Sequence, residues 1–200
     1  FLAALLAVLL GAVLLSLRAG SYNTPVGELI KGIFGAASDK KGNIVVRANR
    51  LPRICTAIVA GAGLGASGCV LQAVLRNPLA SASTLGVSQG ASFGAAFAII
   101  VLNLGGSALS GALIPLLAFA GSMGVALIIL ALARLKQISP EGIVLAGVAI
   151  SSMLTGATTL IQYFADEVQL TTLVFWTFGD LGSPNWADIR VMTAVVALTG

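Results

Sequence analysis

The chain has no histidine and only two cysteines, and Asp, Glu, Lys and Arg together make up just 9% of its 200 residues. Each shortage excludes something. Without histidine, a CxxC pair or a carboxylate cluster inside an apolar run, there is no material for a metal site or a buried proton relay. No metal, no cofactor and no catalytic residue is expected, and no nucleic-acid partner. Cys55 and Cys69 stand fourteen positions apart on one predicted helix, ~21 Å along its axis and far beyond disulfide reach. They read as small buried hydrophobes. With charge this scarce, 58% hydrophobic residues and a mean hydropathy of +1.02 leave too little polar surface to coat a soluble globule.

What is present is a series of apolar runs. Ile54–Leu75 holds 22 residues without a charged side chain, enough to cross a ~30 Å hydrocarbon layer at ~1.5 Å per residue. Gly61, Gly63, Gly65 and Gly68 within it would weaken a soluble helix, but in lipid they let a neighbouring backbone approach closely. Apolar segments near 1–17, 54–75, 87–102, 108–132, 142–164 and 189–200 predict an all-α, polytopic transmembrane helical bundle. The third is short for a span, and is expected to be tilted or partly unwound. Both ends read as cut: Phe1 opens inside an apolar run, and Gly200 stops within the sixth segment. A signal-peptide reading of the first segment lacks a basic leader and a cleavage site.

Small residues recur at four-residue spacing: Ala57, Gly61, Gly65 and Cys69; Gly90 and Gly94; Ser107 and Gly111. Such rows suit close helix contact in any polytopic protein. The fifth segment carries a polar stripe. Ser151, Thr155, Thr158 and Gln162 fall at i, i+4, i+7 and i+11, extended downwards by Gly147. Such a face either hydrogen-bonds to a neighbouring helix or faces a wet cavity.

The 18–53 connection has internal order. Thr24-Pro25 reads as an N-cap and first helical residue, followed by Leu29, Ile30, Ile33 and Phe34 on one apolar face, which predicts a short helix on the membrane surface. Arg47, Arg50 and Arg53 follow at three-residue spacing. They share a face if helical and splay if extended into Pro52, and a stretch in contact with solvent or lipid headgroups accounts for them on spacing alone. If the loops alternate sides, one side holds eight basic residues and the other three, Arg76, Arg134 and Lys136. Seven of the eight come from the 18–53 connection, and without it the balance reverses, so the positive-inside rule alone leaves the orientation open.

Several motifs, taken together and in order, resemble the FecCD-like family, the permease subunits of ABC importers for iron-siderophore, haem and cobalamin. They are Arg50-Leu51-Pro52-Arg53, Gly68-Cys69-Val70-Leu71-Gln72, Asn77-Pro78-Leu79-Ala80, Leu85-Gly86-Val87-Ser88-Gln89-Gly90-Ala91 and Leu145-Ala146-Gly147-Val148-Ala149. The family often has an acidic residue and a proline after Asn-Pro-Leu-Ala, where this chain has Ser81-Ala82-Ser83.

The resemblance implies an ABC type II importer permease, with 1–200 a partial transmembrane domain holding about six of roughly ten helices. It implies a homodimer in the cell (inner) membrane, two cytoplasmic ATPase subunits that hydrolyse ATP, and an external substrate-binding protein. It places 18–53 outside and the Asn77-Pro78 loop and 134–141 inside, with the ATPase-docking helix beyond Gly200. Arg47, Arg50 and Arg53 are expected to dock the binding protein, because a guanidinium meets a carboxylate bidentately. Gly147, Ser151, Thr155, Thr158 and Gln162 are expected to line the translocation pathway. Asn77, Pro78, Ser139 and Pro140 belong to the cytoplasmic loops and inner gate. Two other classes compete: a secondary transporter, which would bury a coupling carboxylate where all seven acidic residues here sit in connections or at helix ends, and a structural membrane protein.

Overall fold

In the computed structural model the described residues are 1–18, 31, 44–106, 110–134, 138–179, 181 and 185–199. All regular structure among them is helical: α1 (Leu2–Arg18), a π-helical turn (Val45–Arg50) that runs straight into α2 (Leu51–Leu75), α3 (Val87–Ala96) prolonged by a second π segment (Phe97–Val101), α4 (Ser110–Ala133), α5 (Pro140–Tyr163), α6 (Glu167–Phe178) and α7 (Trp186–Thr199). The surface helix expected near residues 25–34 lies outside the described residues.

Three stretches are long and apolar enough to cross a membrane, Val45–Leu75, Ser110–Ala133 and Pro140–Tyr163; Leu2–Arg18 and Val87–Val101 are apolar but shorter. The chain is thus an all-α, polytopic membrane protein. Two boundaries differ from the sequence reading. The second helical stretch starts at Val45 and not at Ile54, because the π turn runs on into α2 across Pro52. The 165–188 connection contains α6, nucleated by a capping box: Asp166 Oδ1 accepts from Gln169 N at 2.8 Å and Gln169 Oε1 accepts from Asp166 N at 3.2 Å.

The chain divides into two compact units, residues 66–180 and residues 1–65 with 181–200. In the first, α3 lies against α4 with backbone touching backbone. A Cβ on Gly90 would sit 2.7 Å from the Gly121 carbonyl, and one on Gly94 would collide with the Leu117 carbonyl, so only glycine permits this approach. Ala95, Ala98, Ile99, Ile114, Ala118 and Leu173 form one apolar cluster there. Gln169 of α6 reaches back to this end of α3, donating to Asn103 Oδ1 at 3.2 Å and to the Ile100 carbonyl at 3.4 Å. In the second unit α7 meets the α2 stretch and the π turn before it: a Cβ on Gly63 would lie 3.0 Å from Val196 Cγ2, and Trp186 Nε1 donates to the Arg47 carbonyl at 2.9 Å. The two contacts advance together along both helices, so α7 runs parallel to α2.

Candidate functional site

The loop after α2 folds on itself before it meets α5. Asn77 Oδ1 accepts from Leu79 N at 2.9 Å, an Asx turn that reverses the chain at Pro78. Ser81 and Thr84 then cap each other: Ser81 N donates to Thr84 Oγ1 at 2.8 Å and Thr84 N to Ser81 Oγ at 3.1 Å. The Ser81-Ala82-Ser83 segment is thereby self-satisfied. Ala80 and Leu85 are buried and share an apolar cluster with Leu75, Val125, Ile129 and Ile143, with Ile138 packed against it.

This cluster brings the Asn77-Pro78 loop and the start of α5 to one place. Ser139 is the N-cap of α5, its Oγ accepting from Gly142 N at 3.2 Å, with Pro140 at the first helical position. Pro78, Ser139 and Pro140 are exposed and Asn77 half-buried. Residues that flank the two pairs, Leu75 and Ala80 on one side and Ile138 and Ile143 on the other, thus share one apolar cluster.

The lower end of the α5 stripe is packed. A Cβ on Gly147 would stand 2.7 Å from Leu85 Cα and 2.9 Å from the Thr84 carbonyl. Gly86, in the left-handed region at φ +83°, lies under Ser151, whose Oγ donates to the Ser83 carbonyl at 3.3 Å. So Gly147 and Ser151 seat the loop on the helix. Further up, Thr155 is exposed and Thr158 and Gln162 are half-buried. The two threonine hydroxyls turn inward to the helix: Thr155 Oγ1 donates to the Ser151 carbonyl and Thr158 Oγ1 to the Leu154 carbonyl, both at 2.8 Å. Ser152 and Thr159 on adjoining faces do the same, at 3.0 Å to the Val148 and Thr155 carbonyls.

In the other unit the three arginines are not equivalent. Arg47 and Arg53 are exposed, whereas Arg50 is 7% exposed and its Nη1 donates to the Leu17 carbonyl at 2.6 Å. A guanidinium at the C-terminus of α1 meets the negative end of that helix and one of its free carbonyls. Three-residue spacing does not give one common face here, because the π turn, with its bonds five residues back, takes more residues per turn than an α-helix. Sequence reasoning missed Trp186, whose bond to Arg47 joins residues 139 positions apart and leaves no local pattern. Among the described residues, no group of three or more Cys, Asp or Glu side chains could hold a metal ion.

The model of the FecCD transport family matches residues 7–200, and the chain belongs to that family. It is similar to a candidate ABC transporter permease of Methanocaldococcus jannaschii, 45% identical over 188 residues, covering 90% of this chain and 54% of that protein. It is 35% identical to the vitamin B12 import system permease BtuC of Salmonella arizonae, covering 92% of this chain and 53% of that protein. It is 33% identical to the Fe(3+)-citrate import system permease YfmE of Bacillus subtilis, covering 94% and 56%. A solved structure of a candidate metal-chelate type ABC transporter, described in an inward-facing conformation, superposes with a TM-score of 0.75 at 28% identity, covering 98% of this chain and 58% of that one. The chain spans about half the length of these relatives.

Proposed function

We propose that the protein is the membrane-spanning subunit of an ABC importer that passes an iron chelate or cobalamin from an external binding protein to the cytoplasm, as a homodimer driven by two cytoplasmic ATPase subunits. The observation that carries this reading is the chemistry of α5. Its exposed Thr155, with Thr158 beside it, presents a polar wall whose hydroxyl protons are already bonded to carbonyls of its own helix. Such a wall wets, yet offers no strong free donor and no charge. A large polar chelate needs that combination, because tight contacts along the route would trap it. The names of the relatives, vitamin B12 and Fe(3+)-citrate import permeases, support the cargo class.

In this reading 18–53 and Arg47 and Arg53 face outside, where the two exposed guanidiniums meet carboxylates of the binding protein. Arg50 acts differently, holding the end of α1. The Asn77–Gly86 loop and Ser139-Pro140 face inside as part of the inner gate. The test is reconstitution of the complete permease with its ATPase and binding protein in proteoliposomes. ATP-dependent uptake of cyanocobalamin or of ferric chelates is expected. Uptake that proceeds without ATP or without the binding protein, driven by an ion gradient, would overturn the assignment.

A further inference from the structure

We propose that Trp186 supplies the backbone donor that Pro52 lacks, and is thereby a positioning residue for the turn that carries Arg47 and leads into α2 at Arg53. Within the π turn the hydrogen bonds reach five residues back, as the bond from Leu51 N to the Val46 carbonyl shows. The next bond in this register would run from residue 52 to the Arg47 carbonyl. Residue 52 is proline and has no N–H to give. Pro52 is itself fully buried, whereas the Arg47 carbonyl lies at an exposed position, where a side chain can reach it in place of the missing N–H. Trp186 Nε1 does so at 2.9 Å, from the first residue of α7.

The turn is thus held from two helices that are distant in sequence. Arg50 Nη1 fixes it to the Leu17 carbonyl at the end of α1, and Trp186 fixes the Arg47 carbonyl to the start of α7. A tryptophan is suited to this, because its indole offers one donor and no acceptor on a rigid ring. The direction in which the exposed Arg47 and Arg53 side chains leave the chain then depends on α7. This last step rests on the docking role proposed above, but the hydrogen-bond substitution does not.

A two-residue cycle tests it in the complete permease in lipid nanodiscs. Trp186→Phe keeps an aromatic ring, though a smaller one, and removes the N–H; Pro52→Ala restores the backbone N–H at the position that lost it. Amide hydrogen exchange at Arg50 and Leu51 is expected to be roughly three- to tenfold faster in Trp186→Phe, and to return in the double variant to the rate of Pro52→Ala alone. Exchange in Trp186→Phe equal to wild type would overturn the inference and leave the ring a membrane-interface aromatic only. So would acceleration that persists in the Pro52→Ala background. The low-salt association rate of the system's binding protein is expected to fall in Trp186→Phe and recover in the double variant, a rescue that loss of packing would not produce. If Arg47→Glu with Arg53→Glu leaves association unchanged while the exchange cycle holds, the docking reading falls and the role of Trp186 in the turn stands.

Discussion

Glycine 147 shows how one hydrogen atom in place of a methyl group determines where a loop sits. Its absent Cβ would meet Leu85 Cα at 2.7 Å and the Thr84 carbonyl at 2.9 Å, and backbone atoms cannot rotate away as a side-chain end can. Gly147→Ala is expected to destabilise the permease by about 1–3 kcal/mol through overpacking, read as a lower melting temperature in detergent. Gly61→Ala is the control, since nothing lies within 4 Å of its Cβ position; it should melt at or above the wild-type temperature on helix propensity. Thr56 poses the opposite question. It is 3% exposed, and its Oγ1 has no hydrogen-bond partner among the described residues. Thr56→Val keeps the shape and removes the orphaned group, so stability should be unchanged or slightly raised. A fall in melting temperature would show that the hydroxyl is bonded in the assembled permease.

Elements were legible in the sequence to the extent that lipid dictates them. The charge-free runs of α2, α4 and α5 announce themselves because the bilayer tolerates little else, and Ser139-Pro140 marks the start of α5 by ordinary capping chemistry. The glycine pair Gly90 and Gly94 pointed to a close helix contact, although its partner on α4, Gly121, carries no pattern that names it. Helix α6 is too short to stand out as an apolar segment, although Asp166-x-x-Gln169 ahead of Leu170, Leu173 and Val174 is a capping box before an apolar face. Its cap is expected to matter: Asp166→Ala should cost about 0.5–2 kcal/mol, and faster amide exchange confined to α6 would show it. The π turn before α2 was not legible, since a search at a period of 3.6 does not see a wider helix. For the same reason the burial of Arg50 could not be read from spacing. It is fixed by the Leu17 carbonyl, 33 positions away.

At the scale of the whole molecule, the 12 residues of α6 rise about 18 Å, too little to cross a ~30 Å core. The bond from Trp186 to Arg47 puts the start of α7 at the same end as the start of α2, which ties the orientation of both to one test. With Cys55 and Cys69 first replaced by serine, a cysteine at Asn49 should react with an impermeant maleimide from outside, and one at Ser139 should not; the reverse pattern would turn the proposed sides around and remove Arg47 and Arg53 from docking. The role of the α5 stripe separates in the same assembled system. Thr155 is exposed, and among the described residues its hydroxyl is bonded to the Ser151 carbonyl of its own helix, so Thr155→Leu adds bulk and removes polarity without breaking a described contact between helices. If the stripe lines the route, uptake should fall while melting and ATPase association stay as in wild type. If this face packs instead against a helix of the assembled permease, the added carbons would overfill that contact at about 1–3 kcal/mol, and the complex would melt lower. Normal uptake by a destabilised complex would therefore end the pathway reading, whereas slowed uptake by a complex of normal stability identifies Thr155 as part of the wall the cargo passes.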